Sequence, residues 1–333
     1  MGHDRFLKRF GDDLVDGTVG SAYVFVGEPG GGKRTTALWL ARLLLCPSPS
    51  DGGTRPCDAC ASCHRVLHGT HPDVYEITRQ EGRTQVRMEQ IEALLKAAEY
   101  DPFEGAFQVF LLSDAESLNE ASMNSLLKWL EEPRRQQVFV LCAPSARMLL
   151  PTILSRCRVF RFAPVPSVDV RRWLRERTAD AARADLAAAL SEGRPGFGLR
   201  LLADDKVWLV REKVVGHALA LGGADAGTAL EVAEKLEASL GADKRGDMDR
   251  LLTFLTAWYR DIAWLAKGLD ASRILNVDHR ADLASIARRF PLEQALGALA
   301  ALDEARAHVS RNVNPKLLLA RLALHLRPPD AHR

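Results

Sequence analysis

This 333-residue chain contains no apolar run near the roughly 18 residues a membrane span needs, which argues against a helical membrane protein. It also has little excess charge. Lys and Arg total 45 against 43 Asp and Glu, a formal net charge of +2, so it does not read as a dedicated basic nucleic-acid module. Its start, Met1 to Phe10, alternates charge with aromatics and lacks the apolar stretch of a signal peptide. No repeat or low-complexity segment stands out. These absences lead us to expect a cytoplasmic protein with no membrane contact, long enough for two or three domains with cores of their own.

A further absence is local. Residues 27 to 34 read Gly-Glu-Pro-Gly-Gly-Gly-Lys-Arg, a phosphate loop that is intact up to its lysine. Gly27, Gly30, Gly32 and Lys33 supply the backbone cradle and the cation for phosphate oxygens. The next position should carry a hydroxyl for magnesium, and Arg34 stands there instead. A guanidinium offers no acceptor and cannot ligate a cation. Thr35 is no substitute, because one step along a helix turns a side chain by about 100°. Lys33 and the loop amides could hold an ATP or ADP phosphate without magnesium. Equally, Arg34 could fill the phosphate pocket or pair with Glu28. Tight ATP or ADP binding is not the expectation.

Four of the six cysteines are clustered: Cys46, Cys57, Cys60 and Cys63. Two-residue spacers bring thiolates within reach of one tetrahedral metal, and the loop from Pro47 to Pro56 lets Cys46 fold back to complete the set. The alternatives are reduced free thiols or disulfides, and a cytosolic compartment disfavours the latter. Structural zinc is the expectation, since four protein ligands leave no open position. His64 could compete as a ligand. His68 and His71 read as surface or capping histidines, and Cys142 as a strand-core residue.

The rest of the chain alternates strands and helices. Tyr23 to Val26 is a buried strand that feeds the glycine loop, and Lys33 to Leu45 is a helix with Ala37, Leu40, Ala41 and Leu44 on one face. Asp73 to Ile77, Gln108 to Leu112, Val138 to Cys142 and Val159 to Phe162 read as further strands. Val86 to Tyr100 is an amphipathic helix, and Asn119 caps another that Pro133 stops. The alternation implies a parallel sheet covered on both faces. Asp114, after the third strand, reads more cheaply as a loop or capping carboxylate than as a metal-site group. Ala163 to Pro166 marks a domain break. From about residue 205 the chain is all helix, with Trp208, Trp258 and Trp264 in its core pattern, and Pro328-Pro329 ends the ordered part.

These motifs together resemble the clamp-loader subunits of bacterial DNA polymerase III, most closely the delta-prime subunits. The resemblance is carried by Gly27 to Lys33, the cysteine cluster, His71-Pro72-Asp73, Ser125-Leu-Leu-Lys-Trp-Leu-Glu-Glu-Pro133, Pro151-Thr-Ile-Leu-Ser-Arg-Cys157 and Asn312-Val-Asn-Pro-Lys-Leu317. It implies an α/β fold: an AAA+ P-loop module over 1–165 with a zinc insertion at 46–64, a small helical lid over 166–204, and an all-α collar domain over 205–327. It implies a ring-like pentamer with motor subunits and the delta subunit, which opens a sliding clamp and places it on primer-template DNA. It further implies that Arg156 is an arginine finger, reaching in trans to a neighbour's ATP. A planar guanidinium suits the charge spread over a transferring phosphate. The bland alternative is a cap or a carboxylate partner.

Four positions depart from a motor subunit of that assembly. They are Arg34, Ser113 where the strand-end Asp should be, Ala143-Pro144 at the polar sensor position, and Gly196 where the lid's sensor arginine would be expected. The expectation is therefore a subunit with no ATPase activity of its own that serves its neighbour. A second reading is an active ATPase that recruits Asp114 and turns Thr35 inward. A third is a zinc-dependent DNA-binding protein using Arg55, Arg65, Arg134 and Arg135, though no stacking aromatics accompany these arginines.

Overall fold

The computed structural model describes residues 2–80, 85–134, 136–241, 244–309 and 313–328. It divides into two compact units, one of residues 1–169 with 193–197 and one of residues 170–192 with 198–333. Arg135, Asn312 and Pro329 lie outside the described residues.

The first unit is built on five parallel strands. Its elements are α1 (Asp4–Val15), β1 (Ala22–Val26), α2 (Lys33–Leu45), α3 (Ala61–Leu67), β2 (Val74–Ile77), α4 (Met88–Ala97), β3 (Gln108–Leu112), α5 (Glu120–Glu131), β4 (Gln137–Ala143), α6 (Pro151–Leu154) and β5 (Arg158–Arg161). The strand order is β2-β3-β4-β1-β5, so β1 lies between β4 and β5 and delivers the glycine loop from inside the sheet. Every residue of β1, β3 and β4 is buried, as continuous apolar runs in a doubly covered parallel sheet require. One face packs Val24, Phe110, Phe139 and Leu141 against Ile91, Leu94 and Leu126. The other packs Phe25, Val109, Val140 and Cys142 against Ala37, Leu40, Ala41 and Leu44.

Local chemistry sets the boundaries. Asn119 caps α5 by accepting a hydrogen bond from the Ser122 amide at 2.8 Å, and α5 ends at Glu131, ahead of Pro133. Pro151 opens α6 at a position where its missing N–H costs nothing.

The second unit is helical. It takes in most of α7 (Ser167–Arg175), α8 (Ala181–Ser191), most of α9 (Pro195–Ala203), α10 (Asp205–Leu221), α11 (Ala226–Ala238), α12 (Lys244–Ala266), α13 (Arg280–Ala287), α14 (Leu292–Val309) and α15 (Pro315–Leu326). Helix α11 packs on α15, and α12 on α14. A buried polar network ties α10 and α12 to the segment before α13. Asp261 accepts the amides of Leu275 and Asn276 at 2.8 Å, and Arg211 reaches both oxygens of Asp278 at 2.8 Å. Of the three tryptophans expected in this core, Trp258 is fully buried, whereas Trp208 and Trp264 are only half-buried. Their indole N–H groups donate to the carbonyls of Leu201 and Asp270.

Candidate functional site

The glycine loop runs from β1 into α2 as the sequence predicts. Gly32 is the N-cap of α2 at φ +95°, and Gly30 sits at φ +84°. Gly30 is also closely approached, since a Cβ there would lie 2.9 Å from the Phe197 nitrogen. The Gly196 amide donates to the Gly30 carbonyl at 2.9 Å. The position where a sensor arginine is expected is thus a backbone contact onto the loop. His3 closes another side, its Nε2 lying 2.8 Å from the Gly31 carbonyl and its ring against Phe162.

Lys33 does not extend into an open pocket. Its Nζ donates to the carbonyls of Gly27 and Glu28, and burial lowers its pKa. Arg34 pairs with Glu76 of β2, not with Glu28. Its Nε and Nη2 meet the two carboxylate oxygens at 2.5 and 2.6 Å, a bidentate fork. Ser113 Oγ, at the end of β3, donates to the same carboxylate at 2.7 Å. The Glu76 carboxylate is therefore taken up by Arg34 and Ser113 together, where a magnesium site would need a free carboxylate and a hydroxyl.

The side chains that a working ATPase would recruit are not gathered at the loop. Thr35 is exposed, and Thr36 is the buried threonine of that turn. Asp114 accepts the Arg79 amide at 2.9 Å, in agreement with the loop-carboxylate reading. After β4, Ser145 Oγ accepts the Arg147 amide and caps a short turn.

Cys46, Cys57, Cys60 and Cys63 converge, with all four Sγ atoms within 4.8 Å of one another. A tetrahedral metal with sulfur ligands at about 2.3 Å needs sulfur–sulfur edges of about 3.8 Å, so a small closure of this cluster would hold one ion. The sulfurs already accept backbone N–H groups in the way thiolates do: Cys57 N–H to Cys46 Sγ at 3.5 Å, and the amides of Cys60 and Cys63 to Cys57 Sγ and Cys60 Sγ at 3.4 Å. The amides of Ala59 and Cys60 hold the Cys57 thiol down to about 6. His64 is exposed and outside the set. His68 caps the end of α3 as expected.

Of the two expectations for His71, the surface one fails and the capping one fits: it is buried and accepts the Asp73 amide at Nδ1, which leaves Nε2 to donate toward Ser62 Oγ at 3.0 Å. Sequence spacing gave no sign of this, because Ser62 and His71 sit on different elements.

Arg156 follows α6 on an exposed turn. Its Nη1 donates to the Thr152 carbonyl at 2.9 Å and its Nη2 lies 2.5 Å from Glu131 Oε1. The arginines named for the DNA-binding reading have partners within the chain: Arg55 with Asp51, Arg65 with Glu104, and Arg134 with the Glu99 carbonyl.

Two family models match the chain. One, described as DNA polymerase III, delta subunit, covers residues 2–166, and the other, described as its C-terminal part, covers residues 225–327. The chain belongs to the clamp-loader family of DNA polymerase III subunits. It is 30% identical over 211 residues to the DNA polymerase III subunit delta' of Bacillus subtilis, covering 63% of this chain and 62% of that one. With the subunit of the same description from Escherichia coli it is 34% identical over 185 residues, 55% and 54% of the two chains. The match therefore spans less than two thirds of either relative. A DNA polymerase III gamma subunit-related protein from Thermotoga maritima superposes with a TM-score of 0.51 at 18% identity, covering 97% of this chain and 98% of that one, a likeness of fold alone. The architecture is thus mixed α/β, a five-stranded parallel sheet carrying a glycine phosphate loop, with a helical C-terminal part. No described helix is long and apolar enough to cross a membrane.

Proposed function

We propose that this chain is a non-hydrolysing, delta-prime-type clamp-loader subunit. It works in the cytoplasm beside motor subunits and the delta subunit, helping to load a sliding clamp onto primer-template DNA. Its own phosphate loop does no chemistry, and Arg156 acts in trans on the ATP of a neighbouring motor subunit. The observation that carries the reading is the Arg34–Glu76–Ser113 cluster, which puts a fixed cation where magnesium would have to bind. Arg156 is free to serve a neighbour because its partner Glu131 is half solvated, and such pairs hold a side chain by no more than about 1 kcal/mol.

The four cysteines hold structural zinc in this proposal. With all positions taken by thiolates, the ion supplies cross-linking and no open position for a substrate. Residues 1–165, 166–204 and 205–327 are proposed as the AAA+ module, lid and collar. The direct test is ATP turnover by the isolated chain with magnesium. The proposal expects none above a Lys33→Ala control; turnover that Lys33→Ala abolishes would favour the active ATPase.

A further inference from the structure

The loop of residues 101–105 is anchored from within. Asp73, fully buried, accepts the amides of Phe103 at 2.5 Å, Glu104 at 3.0 Å and Gly105 at 2.8 Å. One carboxylate thus orders three consecutive amides, while the Phe103 side chain is 81% exposed. Asp73 is in turn tied to the cysteine centre. Its own amide donates to His71 Nδ1, His71 Nε2 donates to Ser62 Oγ, and Ser62 donates to the Leu45 carbonyl at 2.8 Å. Leu45 precedes Cys46, and Ser62 precedes Cys63. A second arm runs from Arg65, two residues after Cys63, to the Glu104 carboxylate, which also lies 3.3 Å from His71 Nε2.

We propose that the cysteine centre sets the order of the 101–105 loop through these two arms, with Ser62, His71 and Arg65 as positioning residues. Filling the centre fixes α3 and the end of α2. That holds Ser62 and Arg65 where His71 and Glu104 need them, and Asp73 then holds the three amides. Emptying the centre frees α3, and the loop loosens while the sheet stays folded. The inference rests on the metal reading above and adds where the effect of metal loss is felt. Single hydrogen bonds of this kind shift local opening by several-fold, and loops open independently of core strands.

The test is amide exchange read by mass spectrometry on the full chain, with metal content measured first and the chelator-treated protein compared with the untreated. The result expected is exchange at Phe103, Glu104 and Gly105 at least about fivefold faster after metal removal, with β4 unchanged. In the Ser62→Ala/Arg65→Ala variant, which keeps all four cysteines, the loop should exchange fast with the metal present and respond no further to its removal. Unchanged loop exchange in the wild type, or faster exchange spread equally through β4, overturns the coupling. Absence of bound metal would sink the metal reading instead. The double variant then decides the coupling alone, by whether its loop exchange exceeds that of the wild type.

Discussion

Arg156 and Glu131 form an ion pair at 2.5 Å across two sequence motifs, one ending α5 and the other following α6. Both side chains keep contact with solvent, so the pair parks the guanidinium without burying it. Substituting Glu131 by Ala should change unfolding free energy by less than about 1 kcal/mol. Urea denaturation checks this, and a loss of several kcal/mol would mean the pair is structural.

Restoring the hydroxyl should not restore chemistry. Arg34→Thr gives the loop its magnesium ligand but leaves Ser113 at the end of β3 and the Gly196 amide on Gly30. The variant is expected to remain without ATPase activity when assayed alone. Turnover in that single variant would show that Arg34 is the only lesion.

Cys60→Ser should lower metal content and destabilise residues 46–64, read by elemental analysis and local proteolysis. Full occupancy in the variant would overturn the four-cysteine assignment. Structural metal sites of this kind contribute directly to folding, so the loss should exceed that of an ordinary surface substitution.

His71 should make the protein acid-sensitive. Burial lowers its pKa below the ordinary 6.5, against the raising influence of Glu104 and Asp73 and with the lowering influence of Arg65. The unfolded chain therefore takes up a proton first as the pH falls. Stability present above about 6.5 should decline below it and level off at the lowered folded value. Thermal unfolding from pH 7.5 to 5 checks the slope, and its persistence in His71→Asn would assign it to another group.

Much of the fold could be read directly because its signals are local. The short apolar run of residues 109–112 reads as a strand buried on both faces from its length and its β-branched and aromatic content, and Lys33–Leu45 carries its helical face in its spacing. The convergence of the cysteines was legible for the same reason, with three of them inside seven residues. Partners from distant elements were not. Arg34 reaches Glu76, 42 positions away on the edge strand β2, where the sequence offered Glu28 close by. His71 reads as a surface or capping histidine, yet its burial and its bond to Ser62 follow from where α3 is placed. Trp208 and Trp264 fit an apolar pattern but are only half-buried, each with its indole N–H on a backbone carbonyl, and the apolar spacing alone does not distinguish them from the fully buried Trp258.

The central claim is that this chain serves its neighbour's ATP and not its own. It is tested most directly by clamp- and DNA-stimulated ATPase in a loader reconstituted with motor subunits, comparing the wild-type chain with Arg156→Ala after equal assembly has been verified. A trans-acting finger should be worth roughly a thousandfold or more at the site it serves, so turnover there should collapse. Unchanged turnover with assembly intact would contradict the account and leave Arg156 as the surface partner of Glu131.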